Sequence, residues 1–153
     1  MPMHRMNVLP LLGVGSFGGR AWQLRGAIDP SRADGTVSCG LHLEFSMQSP
    51  DGLHGLGGGF TGAALVNERH PIAALSLERD ANGSYCLGEV VDRASRVDVH
   101  YSTGQVGQAT VLTTSFAVNL WIAFAAGDVE ITTIRAFDSA GGELTSLALP
   151  VLI

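Results

Sequence analysis

Apolar and polar residues alternate with a period of two along several stretches of this sequence, and no other feature constrains its fold as strongly. In residues 96–101, Val97, Val99 and Tyr101 fall on one side of an extended chain and the polar residues on the other. Residues 36–47 alternate in the same way. Because successive side chains of a β-strand point to opposite faces, the pattern predicts strands that bury one face.

Turn-forming residues separate these stretches at intervals of about ten residues, which is typical of an antiparallel sandwich. Residues 80–83 (Asp-Ala-Asn-Gly) and 138–142 (Asp-Ser-Ala-Gly-Gly) each predict a hairpin turn. The predicted strands cover residues 21–28, 36–47, 72–79, 85–91, 96–101, 110–124, 129–137 and 143–149. We therefore predict one all-β domain over residues 21–153, a two-sheet sandwich of about seven to nine antiparallel strands with Greek-key connections.

Residues 1–20 lack the alternation and are assigned to a flexible leader or the remnant of an export signal. His4 and Arg5 supply a weak positive region, and the apolar segment that follows is interrupted by Pro10. An export signal needs an apolar region of about 7 to 15 residues, so this segment lies at the lower limit.

The charges exclude several classes of function. Charged residues make up only 15% of the chain and the formal net charge is −5. All nine basic residues are arginines, and they are scattered along the sequence. Without a basic stripe to neutralise phosphates, nucleic acid is not an expected partner, and the lack of lysine excludes Schiff-base chemistry. No apolar run approaches the roughly 18 residues of a transmembrane helix, so no transmembrane segment is predicted.

The two cysteines are predicted to form a disulfide between Cys39 and Cys86. Both fall on the apolar phase of a predicted strand, and an even cysteine count with a long separation suits an exported domain. The alternative is two buried reduced thiols. The disulfide interpretation places the protein outside the cytoplasm or on the cell surface, whereas free thiols indicate the cytoplasm.

Residues 48–62 break the alternation and are predicted to be a loop or a bulged edge. Residues 57–62 fit a Gly-x-Gly-x-x-Gly pattern, but a turn precedes them and no well-formed helix follows, so a dinucleotide site is not predicted. The candidate binding loop comprises Asp51, His54, Phe60 and His70. Its expected ligand is an unidentified protein or cell-surface molecule, and no cofactor is predicted.

No catalytic or metal-binding set is predicted, because the five histidines are scattered and none accompanies a nucleophile in a strand-turn-helix elbow. The leading hypothesis is a non-enzymatic binding or display module. One alternative is a small-ligand protein or metal-dependent enzyme that uses His42, His54, His70 or His100. The other is a structural subunit of a surface or phage assembly, whose apolar tail (residues 147–153) pairs with a neighbouring edge strand.

The C-terminal part resembles a module of uncharacterised exported or membrane-anchored actinobacterial proteins. The resemblance rests on residues 87–104, the apolar block 116–124, and residues 134–144 with Asp-x-x-Gly at the turn. Trp22 upstream and the cysteine pair are also similar to those proteins. The resemblance implies an immunoglobulin-like sandwich, and it implies no catalytic residue.

Overall fold

The computed structural model of this chain describes residues 9–29, 40–48, 55–63, 66, 69–80, 82–114 and 118–149. All regular secondary structure in those residues is β-strand, and all strand pairings are antiparallel. The predicted all-β class is therefore confirmed. The chain divides into two compact units, Met1–Ala63 and Ala64–Ile153. The hydrophobic pattern identifies strands, but it does not reveal which strands share a core.

The first unit contains a four-stranded sheet whose strands follow the order of the chain. The strands are β1 (Leu11–Phe17), β2 (Arg20–Asp29), β3 (Gly40–Gln48) and β4 (Gly55–Ala63). Gly18 and Gly19 form the turn between β1 and β2, with φ angles of 59° and 78°. Two residues at positive φ make the type of turn that matches the twist of a hairpin, and glycine adopts it without strain.

Strand β1 lies where the sequence predicted none, because residues 11–20, assigned to a flexible leader, form β1 and the turn into β2. Of the two alternatives for residues 48–62, a loop or a bulged edge, the glycine-rich residues 55–63 form an edge strand. In β1, Gly15 shows why a segment rich in glycine forms a strand here, because it pairs with Trp22 of β2. A Cβ on Gly15 would lie 2.8 Å from the Trp22 indole, so the ring occupies the space above that glycine.

One face of this sheet is apolar and buried. Its buried side chains are Trp22, Leu24, Leu43, Phe45 and Met47. The alternation of residues 21–28 and 36–47 predicted this face where the structure describes it. The ring centroids of Trp22 and Phe45, on the two central strands, lie 6.0 Å apart.

The second unit consists of two four-stranded sheets. The first sheet has the order β5 (Ile72–Asp80), β6 (Gly83–Val91), β10 (Val118–Ala126), β9 (Thr110–Leu112). The second has the order β12 (Glu143–Ala148), β11 (Ile131–Asp138), β7 (Ala94–Tyr101), β8 (Val106–Gln108). The described residues of the chain thus form twelve strands, more than the sequence predicted.

The two sheets of the second unit share one hydrophobic core, as a sandwich requires. Its buried residues come from both sheets: Ile72, Cys86, Val90, Trp121, Ala123 and Ala125 from the first, and Ala94, Val97, Val99, Ile131, Ile134 and Ala136 from the second. The chain changes sheet at Ala109, between β8 and β9, where the Ala109 amide donates to the Val97 carbonyl at 2.8 Å. In the described part of the chain, no helix is long and apolar enough to span a membrane.

Candidate functional site

A groove of about 740 Å³ lies on the sheet of the first unit, at the end where β1 turns into β2. Strands β1, β2 and β3 line it with Val14, Gly15, Ser16, Ala21, Trp22, Gln23, Ser46, Met47 and Gln48. Ligand sites in proteins commonly enclose about 300 to 1,000 Å³, so the groove is large enough for a small ligand or a short chain segment.

The strand register explains why the groove opens on the face opposite the buried aromatic residues. Val14 pairs with Gln23, and Gln23 pairs with Ser46, so these three residues share one face of the sheet. The residues between them along each strand, such as Trp22, belong to the buried face. Most of the groove lining therefore belongs to the open face, whereas Gly15, Trp22 and Met47 occupy the alternate strand positions.

The groove offers hydrogen bonds without charge. None of its lining residues carries an ionisable side chain. The amides of Gln23 and Gln48 supply donors and acceptors, and the hydroxyls of Ser16 and Ser46 supply both in one group. Val14 adds an apolar surface that is 63% exposed. This chemistry suits an uncharged polar ligand, because a charged one would lose hydration without gaining a partner of opposite charge.

Charged groups lie further along the same face. His42 Nε2 lies 3.2 Å from Glu44 Oε2, and both side chains are substantially exposed. Arg25, which pairs with Glu44 across the strands, donates from Nη1 to the Leu9 carbonyl at 2.9 Å. The His42–Glu44 pair is an exposed surface contact outside the groove lining, so it carries no catalytic assignment.

The candidate binding loop is not assembled in the part of the chain that the structure describes. Asp51 and His54 lie outside the described residues. Phe60 belongs to β4, an edge strand, and not to a loop. His70 is exposed in the bend that precedes β5. At Phe60 the edge alternative holds, since the glycine-rich residues pair along β3 as a regular strand.

Cys86 is a free thiol in this structure, so the predicted disulfide with Cys39 is not present in it. The Cys86 side chain is 0% exposed and belongs to the core between the two sheets of the second unit. Cys39 lies outside the described residues, within the chain segment of the first unit. Burial raises the pKa of the Cys86 thiol to about 12.

We expect Cys86 to be nearly inert toward thiol reagents in the folded protein. With a pKa of about 12, its thiolate fraction at pH 8 is about a thousandfold smaller than that of a thiol with a pKa near 9. Reaction with a chromogenic disulfide before and after unfolding, without reductant, measures this. One thiol that appears only on unfolding is the expected result. If unfolding releases no thiol until a reductant is added, Cys39 and Cys86 are linked and this assignment of Cys86 is wrong.

The described histidines of the enzyme hypothesis belong to different units of the chain. His42 lies on the first unit's sheet, and His100 lies on β7 of the second unit. Among the described residues, no three histidine, cysteine, aspartate or glutamate side chains are grouped as a metal ion would require.

The outer face of the second unit's β12-β11-β7-β8 sheet carries a stacked cluster. The Arg96 guanidinium lies 4.1 Å from the centroid of the Phe137 ring, and that of Arg135 lies 5.6 Å from it. Arg96 also pairs with Asp98 at 3.0 Å, and Arg135 pairs with Glu143. The Arg135 guanidinium lowers the pKa of Glu143. Each arginine of this cluster therefore has an acidic partner.

The sequence did not predict the groove. Two of its strands follow the alternation, but β1 was assigned to a leader, and no pattern in the sequence shows that Val14 lies beside Gln23. A signal was present in Val14 itself, a branched apolar residue between two glycines, followed two residues later by Ser16. Comparison with known proteins adds no assignment, since no family model, curated protein or solved structure matches this chain.

Proposed function

We propose that this protein is a non-enzymatic binding module and that the groove on the first unit's sheet holds an uncharged polar ligand. One observation carries the proposal: a groove of about 740 Å³ whose lining combines amide, hydroxyl and aliphatic groups with no ionisable side chain. Such a surface binds through hydrogen bonds and van der Waals contacts. It supplies no acid, base or nucleophile of shifted pKa, which a hydrolytic or transfer reaction requires.

The proposal includes an immunoglobulin-like fold for the second unit. The strand order supports this grouping. If β5, β6, β7, β9, β10, β11 and β12 are lettered A to G along the chain, the first sheet reads A-B-E-D and the second reads G-F-C with β8 added at its edge. That is the strand order of the immunoglobulin sandwich. It supports the fold that the resemblance of the C-terminal sequence implies.

An exported or cell-surface location is also part of the proposal. It rests on the resemblance of the C-terminal sequence to an exported module. Fractionation of the native host, with the N-terminus of the mature chain determined in the same sample, tests it. Recovery of the chain in the culture medium or envelope fraction is expected. Recovery in the cytoplasm with Met1 intact would contradict this location.

Filling the groove is expected to abolish ligand binding without unfolding the protein. Ser46→Trp places a large side chain at an exposed position in the groove lining. The measurement is the thermal shift of wild type and variant with neutral oligosaccharides, neutral peptides and soluble cell-wall fragments as probes. A probe at about one hundred times its Kd stabilises the wild type by about 2.7 kcal/mol, and it should leave Ser46→Trp unshifted.

Ser146→Trp is the matched control, because Ser146 is an exposed serine within a strand of the second unit. It should keep the wild-type shift. Equal shifts in the two variants would show that the probe binds elsewhere. A complete screen without any shift, and without a protein that co-purifies from the host, would contradict the binding proposal.

A further inference from the structure

The edge of β1 that faces away from β2 carries neither a charge nor a proline, and the bulge in its pairing with β2 lies at its start, between Leu11 and Gly13. Among the described strands, β1 pairs with β2 alone. Its sequence, Leu-Leu-Gly-Val-Gly-Ser-Phe, contains no charged residue and no proline. Natural edge strands are usually very short, charged, bulged away or interrupted by proline, because an unprotected edge pairs with another chain.

Strands at the edges of the second unit differ in this respect. β8 and β9 are each three residues long, β12 contains Glu143, and β5 ends in Glu-Arg-Asp. Large apolar side chains are also concentrated on β1. The strongly exposed ones among the described residues are Leu11 (49%), Val14 (63%) and Val106 (56%), and two of these three lie on β1.

The hairpin sets which backbone groups of β1 point outward. In a two-residue hairpin, the residues that flank the turn exchange both backbone hydrogen bonds, and here these residues are Phe17 and Arg20. Bonding to the partner strand then alternates along β1, so Gly15 also faces β2. The amide and carbonyl groups of Val14 and Ser16 point away from β2 toward the free edge.

We infer that β1 pairs antiparallel with β1 of a second copy of this chain, about a two-fold axis at Val14. Val14 is the central residue of Leu11–Phe17 and lies beyond the bulge at the start of β1, so residues 13–15 of the two copies overlap in regularly paired strand. Val14 then exchanges both of its outward backbone hydrogen bonds with the partner's Val14. Ser16 lies opposite the partner's Leu12, and the two four-stranded sheets become one sheet of eight strands.

A second copy fits this edge better than a charged partner does, because the strand is uncharged and its centre is self-complementary. Gly13 and Gly15 flank Val14 and carry no side chains to obstruct close approach. The pairing also covers the exposed side chain of Val14, which lines the groove. The two grooves therefore meet at the axis, and the ligand surface is shared by both copies.

The test exploits the two-fold axis, which places any new charge at residue 14 opposite an identical charge. Wild type is expected to be dimeric by sedimentation equilibrium at micromolar concentrations. Val14→Glu and Val14→Lys should each raise the dimer dissociation constant by about tenfold or more, since like charges directly opposite each other destabilise a strand pair. An equimolar mixture of the two variants should recover the dimer, because opposite charges then meet.

Val106→Glu is the matched control, since Val106 is an exposed valine on an edge strand of the second unit. It should remain dimeric. Circular dichroism shows whether each variant is folded before it is centrifuged. A monomeric wild type, a dimer that survives in Val14→Glu, or a mixture that does not recover would each overturn the inference. A ladder of larger species would indicate head-to-tail pairing of β1 with β4 instead and would also overturn it. No ligand enters this experiment, so its outcome is independent of the proposed binding function.

Discussion

Replacing Gly88 with alanine is expected to destabilise the second unit by about 3 kcal/mol, a large part of the stability of an ordinary domain. Gly88 lies in β6 and pairs with Trp121 in β10. A Cβ at this position would overlap both the Trp121 indole and the carbonyl oxygen of Ala73 in β5. Neither neighbour can move freely: the indole is fully buried and donates from Nε1 to the Glu89 carbonyl at 3.1 Å, and the carbonyl belongs to the backbone of a paired strand.

Urea denaturation of wild type and Gly88→Ala measures this loss. Gly107→Ala is the control, because a Cβ there would meet the nearest atom, Cε2 of Tyr101, at 3.3 Å, which a small shift of that ring relieves. We expect its effect to stay below about 1 kcal/mol. Introducing Trp121→Leu into the wild type and into Gly88→Ala tests the mechanism. Gly88→Ala should lower the free energy of unfolding by less once the indole is gone. Equal costs in both backgrounds would show that the indole overlap is not the cause.

The second unit is expected to lose stability steeply above pH 9 because of the buried thiol of Cys86. Burial raises the pKa of this thiol from 9.0 to about 12. A group whose pKa is higher in the folded state stabilises the fold fully below its unfolded pKa, near 9, and this stabilisation is lost as the pH rises through the folded value, near 12. The free energy of unfolding should therefore fall by about 1.4 kcal/mol per pH unit over this range.

This chain is well suited to the measurement because it has no lysine, two cysteines and two tyrosines. Few side chains therefore titrate between pH 9 and 12. Burial also raises the pKa values of Tyr85 and Tyr101, so both tyrosines steepen the loss above pH 10. Between pH 9 and 10 the slope belongs mainly to the thiol.

Urea denaturation at a series of pH values, with a phosphine reductant present, measures the slope. Cys86→Ala should remove most of the slope between pH 9 and 10, whereas Tyr85→Phe should change it little there. A wild-type slope that persists in Cys86→Ala would contradict the assignment, because another group would then be releasing the proton on unfolding.

The alternation in the sequence was sufficient to predict most strands and the direction of their side chains. Val97 and Val99 were predicted to share a buried face of residues 96–101, and both are fully buried in β7. The hairpin predicted around residues 138–142 forms between β11 and β12, where two amides of the turn donate to the Asp138 carboxylate. These features are local, since they depend on the period of a strand and on the chemistry of a turn.

The candidate site was less predictable, because pairing between strands creates it. The predicted loop included Phe60, which belongs to β4, and omitted Val14 and Ser46, which line the groove. Residues 110–124, predicted as one extended stretch, separate into β9 and β10. The boundaries between strands and between units depend on contacts between residues that are distant in the sequence. A local pattern of apolar and polar residues does not encode those contacts.

The all-β class, the strands with strict alternation and the hairpin turns follow from local sequence, because side-chain period and turn chemistry act over a few residues. The roles of the glycines depend instead on contacts between paired strands. Gly15 and Gly88 carry no pattern of their own, yet each lies directly against a tryptophan of the neighbouring strand, Trp22 or Trp121, at a distance that excludes any larger residue without rearrangement. A glycine within a strand has no side chain that could contribute to an apolar pattern in the sequence. Its role becomes apparent only when the paired strand places a large side chain over it.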